Sequence, residues 1–188
     1  MAILTNAGGP AIMATDVSVD LGLTLAPLEE KTRRALRKLL PPECSVANPV
    51  DLIASGDGAR YEMALKALLA DSTVDGLLVL FVSPTMINAQ EVAEAIARVG
   101  RGSRKPVLSC FMGKAQGDKG VQTLRNASIP VYPFPEPAAQ AMAALDFYRR
   151  IRERPRGRRV RFSVQRSRVD AVLKSARKAG RRQLSFQE

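Results

Sequence analysis

The stretch GLLVLFV, residues 76–82, carries no polar residue at any alternate position. A strand with one wet face alternates apolar and polar side chains. An unbroken apolar run therefore marks a strand covered on both faces, as in a parallel sheet held between two layers of helices. Shorter apolar runs recur at residues 2–5, 23–28, 107–111 and 129–132, each bounded by Gly, Pro, Ser or Asn. Helical stretches fall between them, at residues 10–21, 29–39, 60–70, 89–99, 120–126 and 136–152. Strands alternating with helices predict an α/β layer fold. About five strands in this pattern resemble a flavodoxin-like, doubly wound parallel sheet.

Local punctuation agrees with these elements. Pro10 suits a first helical turn, where its missing amide hydrogen is no loss, and Gly22 suits the stop. Asn88 followed by Glu91 reads as an N-cap with its reciprocal partner. Pro41 and Pro42 end the second helix, because proline cannot continue it.

The chain has 188 residues and 46% hydrophobic content, enough to bury a core of ordinary domain size. No apolar run approaches the roughly 20 residues that span a bilayer, and no leader pattern is visible, so a cytoplasmic protein is expected. The net charge is +11, which by itself invites a nucleic-acid reading. Its position argues otherwise. Residues 149–188 hold 15 Lys or Arg against three acids, which leaves 14 bases against 15 acids in the first 148 residues. Residues 1–154 therefore read as a neutral globular domain, and residues 155–188 as a basic extension with weak helical periodicity at residues 169–179. Only Phe162 and Phe186 supply aromatic surface there, so nucleic-acid binding is not favoured.

Ligands of open parallel sheets meet the carboxyl ends of the strands, so the turns after the strands are the candidate sites. In TNAGGP, residues 5–10, Gly8 and Gly9 let the backbone approach another group, and the helix that follows points unpaired amides at it. A tight turn with no ligand explains two glycines equally well. The spacing is neither GxGxxG nor that of a P-loop, which argues against a nucleotide. In ANPVDLIASGDG, residues 47–58, Asn48 is held extended by the proline after it, and Asp51 is expected to fix the loop through side-chain hydrogen bonds. The turn FVSPTMINAQE, residues 81–91, leaves the central strand and enters a helix near Asn88, where a second helix end would add to the first corner. CFMGKAQGDKG, residues 110–120, carries Lys114 and Lys119, which read first as solvated loop charges. The chain has no histidine, so it contains no Ser-His pair, no histidine-centred metal site and no phosphohistidine of its own. Asp16 and Asp20, one helical turn apart, read as surface residues rather than an acid–base pair. Cys44 and Cys110 have no metal-ligand spacing and read as buried apolar groups.

ILTNAGGPAIMATD, LPPECSVANPVDLIASGDGARYEMAL, VDGLLVLFVSP, KPVLSCFMG and IPVYPFPEPAAQAMAALDFY occur in this order over most of the first 150 residues. Together they resemble the ADP-forming acyl-CoA (acetate-CoA) synthetases, NDP-forming relatives of succinyl-CoA synthetase. The resemblance implies the flavodoxin-like ligase domain of such an enzyme. It implies partners as well: a CoA-binding domain, a histidine-bearing domain and an ATP-grasp domain or subunit. The basic extension resembles the linker into that ATP-grasp module, and GRRQLSFQE reads as the start of a further element. The short leading strand reads as truncated in the same way. The implied reaction converts acyl-CoA, ADP and phosphate to acid, CoA and ATP through an acyl phosphate and a phosphohistidine. The histidine, CoA, ATP or ADP and Mg would belong to other domains, with no cofactor bound by this one alone. The resemblance assigns substrate or phosphate contact to Asn6, Ala7, Gly8 and Gly9 in the first turn and to Ser83, Pro84 and Thr85 in the second. Ala11 stands where many members carry a further glycine. The alternatives are a freestanding flavodoxin-like module for a flavin or another phosphate-bearing ligand, a nucleic-acid binder working through the tail, and a protein acyltransferase on the same scaffold. An oligomer is compatible with all of these.

Overall fold

The computed structural model describes residues 1–113, 119–155, 157 and 162–186. They form two compact units, Met1–Glu153 and Arg154–Glu188. The first unit is built on five strands: β1 Ala2–Thr5, β2 Val50–Asp51, β3 Leu77–Val82, β4 Val107–Met112 and β5 Val131–Tyr132. The order across the sheet is β2-β1-β3-β4-β5, and every pair is parallel. Six helices cover it: α1 Gly8–Asp20, α2 Glu30–Leu39, α3 Gly58–Ala70, α4 Ala89–Gly100, α5 Lys119–Asn126 and α6 Pro135–Glu153. This is the flavodoxin-like strand order.

Strand side chains alternate between two cores, as the pleat requires. Ile3, Leu78, Leu80, Leu108 and Cys110 pack with Ala11 and Ala14 of α1 and Ala138 and Met142 of α6. Leu4, Leu77, Val79, Phe81 and Phe111 pack on the opposite face with side chains from α2 to α5. There Phe81 meets Tyr61 edge-on, with centroids 5.9 Å apart. It also lies 5.0 Å from Phe111 in a tilted pair. The expectation that residues 76–82 form a central strand covered on both faces holds, with β3 paired to β1 on one side and to β4 on the other.

Residues 23–28 are not a strand. Leu23 and Leu25 pack against the α1–α6 core, whereas Ala26 and Leu28 belong to the other core. The segment wraps the amino edge of the sheet and carries the chain from one face to the other, which is why it is apolar. The Met1 amine donates to the Thr24 carbonyl at 2.7 Å, and the Ala26 amide donates to the Met1 carbonyl at 2.7 Å. The edge beside β1 is instead filled by the two-residue strand β2, paired through Leu4 with Val50 and Thr5 with Asp51.

The helices keep close to their expected bounds with one informative shift. α1 starts at Gly8 rather than Pro10, so both glycines lie in its first turn and Pro10 is the third helical residue. Gly22 has φ +78 and closes α1 as expected. Asn88 caps α4, accepting from the Gln90 amide. Its side-chain nitrogen, not its backbone amide, pairs with Glu91 at 3.1 Å. In the second unit, the basic segment forms helix α7, Arg166–Lys178, with Ala176 buried. No helix among the described residues is long and apolar enough to cross a membrane.

Candidate anion corner at the carboxyl edge

β1 and β3 are neighbours, yet the helix after β1 lies on one face and α4, which follows β3, lies on the other. That divergence defines the switch point, where the carboxyl ends of the strands leave a crevice. The turns containing Asn6–Gly9 and Ser83–Thr85 flank it.

Asn6 is 4% exposed, and its side chain is fully engaged. Its amide nitrogen donates to the Val82 carbonyl and its oxygen accepts from the Val82 amide, both at 2.9 Å. Asn6 thus ties the end of β1 to the end of β3 and brings the two candidate turns together. Ala7 is the extended N-cap of α1. Its amide donates to the Thr5 hydroxyl at 3.0 Å, and that hydroxyl donates to the Ala7 carbonyl at 2.9 Å. No side chain caps α1, and its first turn holds no acid. The amides of Gly8 and Gly9 therefore lie in a first turn with no intrahelical acceptor. Neither glycine has a positive φ, so backbone conformation is not what requires glycine here. A Cβ on Gly9 would meet nothing within 4 Å, and one on Gly8 would sit 3.6 Å from Asp51 Oδ2. Gly9 is exposed and faces open space.

Ser83 and Pro84 are half-buried and Thr85 is exposed. The Ile87 amide donates to the Pro84 carbonyl at 3.2 Å, closing a turn. Asn88 caps α4 by accepting from the Gln90 amide, so of the two helices that begin at these turns α1 is the one without a side-chain cap. Asp51 holds its loop as expected, with Oδ1 accepting from the Ile53 amide at 2.8 Å. Ile53 takes φ +55 just beyond it, unusual for a β-branched residue. Lys119 opens α5, while Lys114 lies outside the described residues.

Burial pushes the Cys110 thiol up to about 12, with Glu136 adding to it, and burial also raises Cys44. The Tyr61 hydroxyl is held well above its ordinary value by burial and by the Asp51 carboxylate, and it donates to the Leu80 carbonyl at 2.7 Å. Among the described residues no group of three or more acids or cysteines could hold a metal ion. What the corner can offer a ligand is fixed amide dipoles, which stabilise an anion without exchanging a proton. A cleft of about 380 Å³ lies at the opposite, amino edge, lined by Met1, Gly76, Pro106, Met142 and Asp146. Volume and chemistry thus fall at opposite ends of the sheet. The carboxyl edge is favoured, because the cleft's Asp146 is already paired with Arg149 and Arg150.

Sequence reading did not reveal Asn48 as a tie. Its oxygen accepts from the Ile3 amide at 3.0 Å. Its nitrogen donates to the carbonyls of Met1 and Ala26 at 3.0 and 3.1 Å. The side chain extends the ladder of β1 where β2 has not yet begun. Asn-Pro was the available signal, but its partners are 22 to 47 residues away in sequence.

The fold is a flavodoxin-like α/β domain whose first helix begins without a side-chain cap at the carboxyl edge of the sheet. The family model that matches this chain is the Ligase-CoA domain, over residues 1–154, and the chain belongs to that family. It is 42% identical over 151 residues to acetate–CoA ligase [ADP-forming] II subunit alpha of Pyrococcus furiosus, covering 77% of this chain and 33% of that protein. It is 31% identical over 183 residues to acetate–CoA ligase [ADP-forming] I of Archaeoglobus fulgidus, covering 97% of this chain and 26% of that one. A solved structure, the dinucleotide-forming acetyl-coenzyme A synthetase 1 of Candidatus Korarchaeum cryptofilum in complex with phosphate and ADP, superposes with a TM-score of 0.74. Its identity is 33%, covering 80% of this chain and 33% of that one. The chain therefore spans about a third of the length of these relatives, or less.

Proposed function

We propose that this chain supplies one domain of an ADP-forming acyl-CoA synthetase and works by holding an anion, not by acid–base chemistry. The observation that carries the reading is the uncapped first turn of α1 at the switch point, with open space over Gly9, in a domain of the Ligase-CoA family. The amides of Gly8 and Gly9 would receive a phosphoryl or carboxylate group brought by a neighbouring domain, with Ala7 fixing the turn. Asn6 would act indirectly, by tying the turn of Ser83, Pro84 and Thr85 to the same floor. The histidine, CoA and nucleotide required for turnover would come from other domains or subunits, so the chain alone should be inert. Magnesium, like the nucleotide, would be brought by the other domains.

The extent of the alignments supports a further module beyond residue 154. The match to the Archaeoglobus protein continues through 97% of the chain, whereas that to the Pyrococcus alpha subunit stops at 77%. Inorganic phosphate and acetyl phosphate titrated into the isotope-labelled chain would test the corner directly. The amides of Gly8 and Gly9 should shift together and saturate. Gly9→Val, which has room to fold, should abolish that response. Shifts confined to the arginines of the tail would remove the corner from consideration.

A further inference from the structure

The corner at the start of α1 offers a small, fixed set of hydrogen-bonding groups. The amides of Gly8 and Gly9 have no acceptor among the described residues, whereas Pro10 has no amide hydrogen and the Ala11 amide donates to the Ala7 carbonyl at 3.4 Å. The third group comes from β2. Val50 and Leu52 both pack into the core under α2 to α5, so the pleat turns Asp51, between them, toward the face that carries α1. Its backbone is pinned on both sides, by the register with Thr5 and by the bridge to Ser45.

The carboxylate of Asp51 is held as well. Its Oδ1 accepts from the Ile53 amide at 2.8 Å. Oδ2 is left over, and it lies 3.6 Å from where a Cβ on Gly8 would stand. No ion pair engages Asp51 among the described residues. Arg60, the base nearest to it in sequence, donates instead to the Ser55 carbonyl and hydroxyl, both at 2.7 Å. An acceptor thus stands beside two donors at a corner read as an anion site.

Resting on the anion-holding role proposed above, we infer that the group received here is a phosphoryl group bearing a proton, and that Asp51 selects it by accepting its hydrogen bond. Two donors and one acceptor require two bare oxygens and a third that carries a hydrogen. A monoprotonated phosphate group has all three. A carboxylate has two oxygens and no hydrogen, so it would occupy both amides and set its charge against that of Asp51. Sulfate has the oxygens but no hydrogen at neutral pH. Like charges with no hydrogen between them repel, so the oxygen that admits phosphate rejects the other two.

Phosphate, sulfate and acetate titrated separately into the isotope-labelled full chain, at pH 7 and matched ionic strength, test this selection. The Gly8 and Gly9 amides should report phosphate binding at least about tenfold tighter than sulfate or acetate. Asp51→Asn keeps an oxygen for the Ile53 amide and puts a donor where Oδ2 stood, so sulfate should then bind to within about threefold of phosphate. Equal responses to phosphate and sulfate in the unaltered chain overturn the inference while leaving an anion corner in place, and that comparison needs no variant to fold. Exclusion of sulfate that persists in Asp51→Asn overturns the role of Asp51. Silence of Gly8 and Gly9 toward all three anions overturns the corner itself, and the selection with it.

Discussion

Two asparagines do work that a strand or a turn would otherwise have to do. Asn6 joins β1 to β3 by accepting from and donating to one residue, Val82. Asn6→Ala should therefore cost about 2 kcal/mol in urea unfolding, because it strands buried backbone groups as well as removing two bonds. Asp71 is a second such point. It is fully buried and accepts from the Glu29 amide and from the amide and hydroxyl of Thr73. Burial alone would raise its pKa, but these bonds, with one from Thr32, hold it at about 2 against an ordinary 3.8. A depressed carboxylate adds stability above its unfolded pKa and loses it as pH falls through the folded one. Unfolding measured from pH 5 to pH 2 should show about 2 kcal/mol lost in that window, and Asp71→Asn should be destabilised at pH 7 with a flatter profile.

The long strands and helices were legible because their signals are local. β3, β4 and the helices follow from apolar runs, prolines and caps such as Asn88. β2 was not legible, since Val50–Asp51 is only two residues and its neighbour Asn48 extends the ladder through a side chain. Residues 23–28 misled for a related reason: a segment that touches both cores is as apolar as a strand. Glycines divide in the same way. Gly8 and Gly9 read as turn residues but lie in a helix, and the role of Gly58 could not be read at all. A Cβ on Gly58 would come within 2.8 Å of the Glu91 carbonyl oxygen at the start of α4. Gly58→Ala should cost about 1–3 kcal/mol because that backbone cannot yield, while Gly9→Ala, which meets nothing, should leave thermal stability unchanged or slightly higher.

At the scale of the molecule, the basic tail and the neutral domain separate in structure as they do in charge, into Met1–Glu153 and Arg154–Glu188. A chain ending at Glu153 should keep the unfolding free energy of the first unit within about 0.5 kcal/mol. It should also lose any salt-sensitive affinity for polyanions while keeping the phosphate response of Gly8 and Gly9. The sequence by itself determined the α/β layering, the central place of β3, the lack of any histidine chemistry and the motifs that mark the Ligase-CoA family. Each of these depends on residue identity or on periods of two to four residues. Only the tertiary structure decided that Asn6 and Asn48 are ties, that α1 rather than α4 brings an uncapped end to the corner, and that α6 is apolar on the side facing away from the sheet. Those features depend on which groups meet across tens of residues of chain, and on which face of a helix the sheet has already taken.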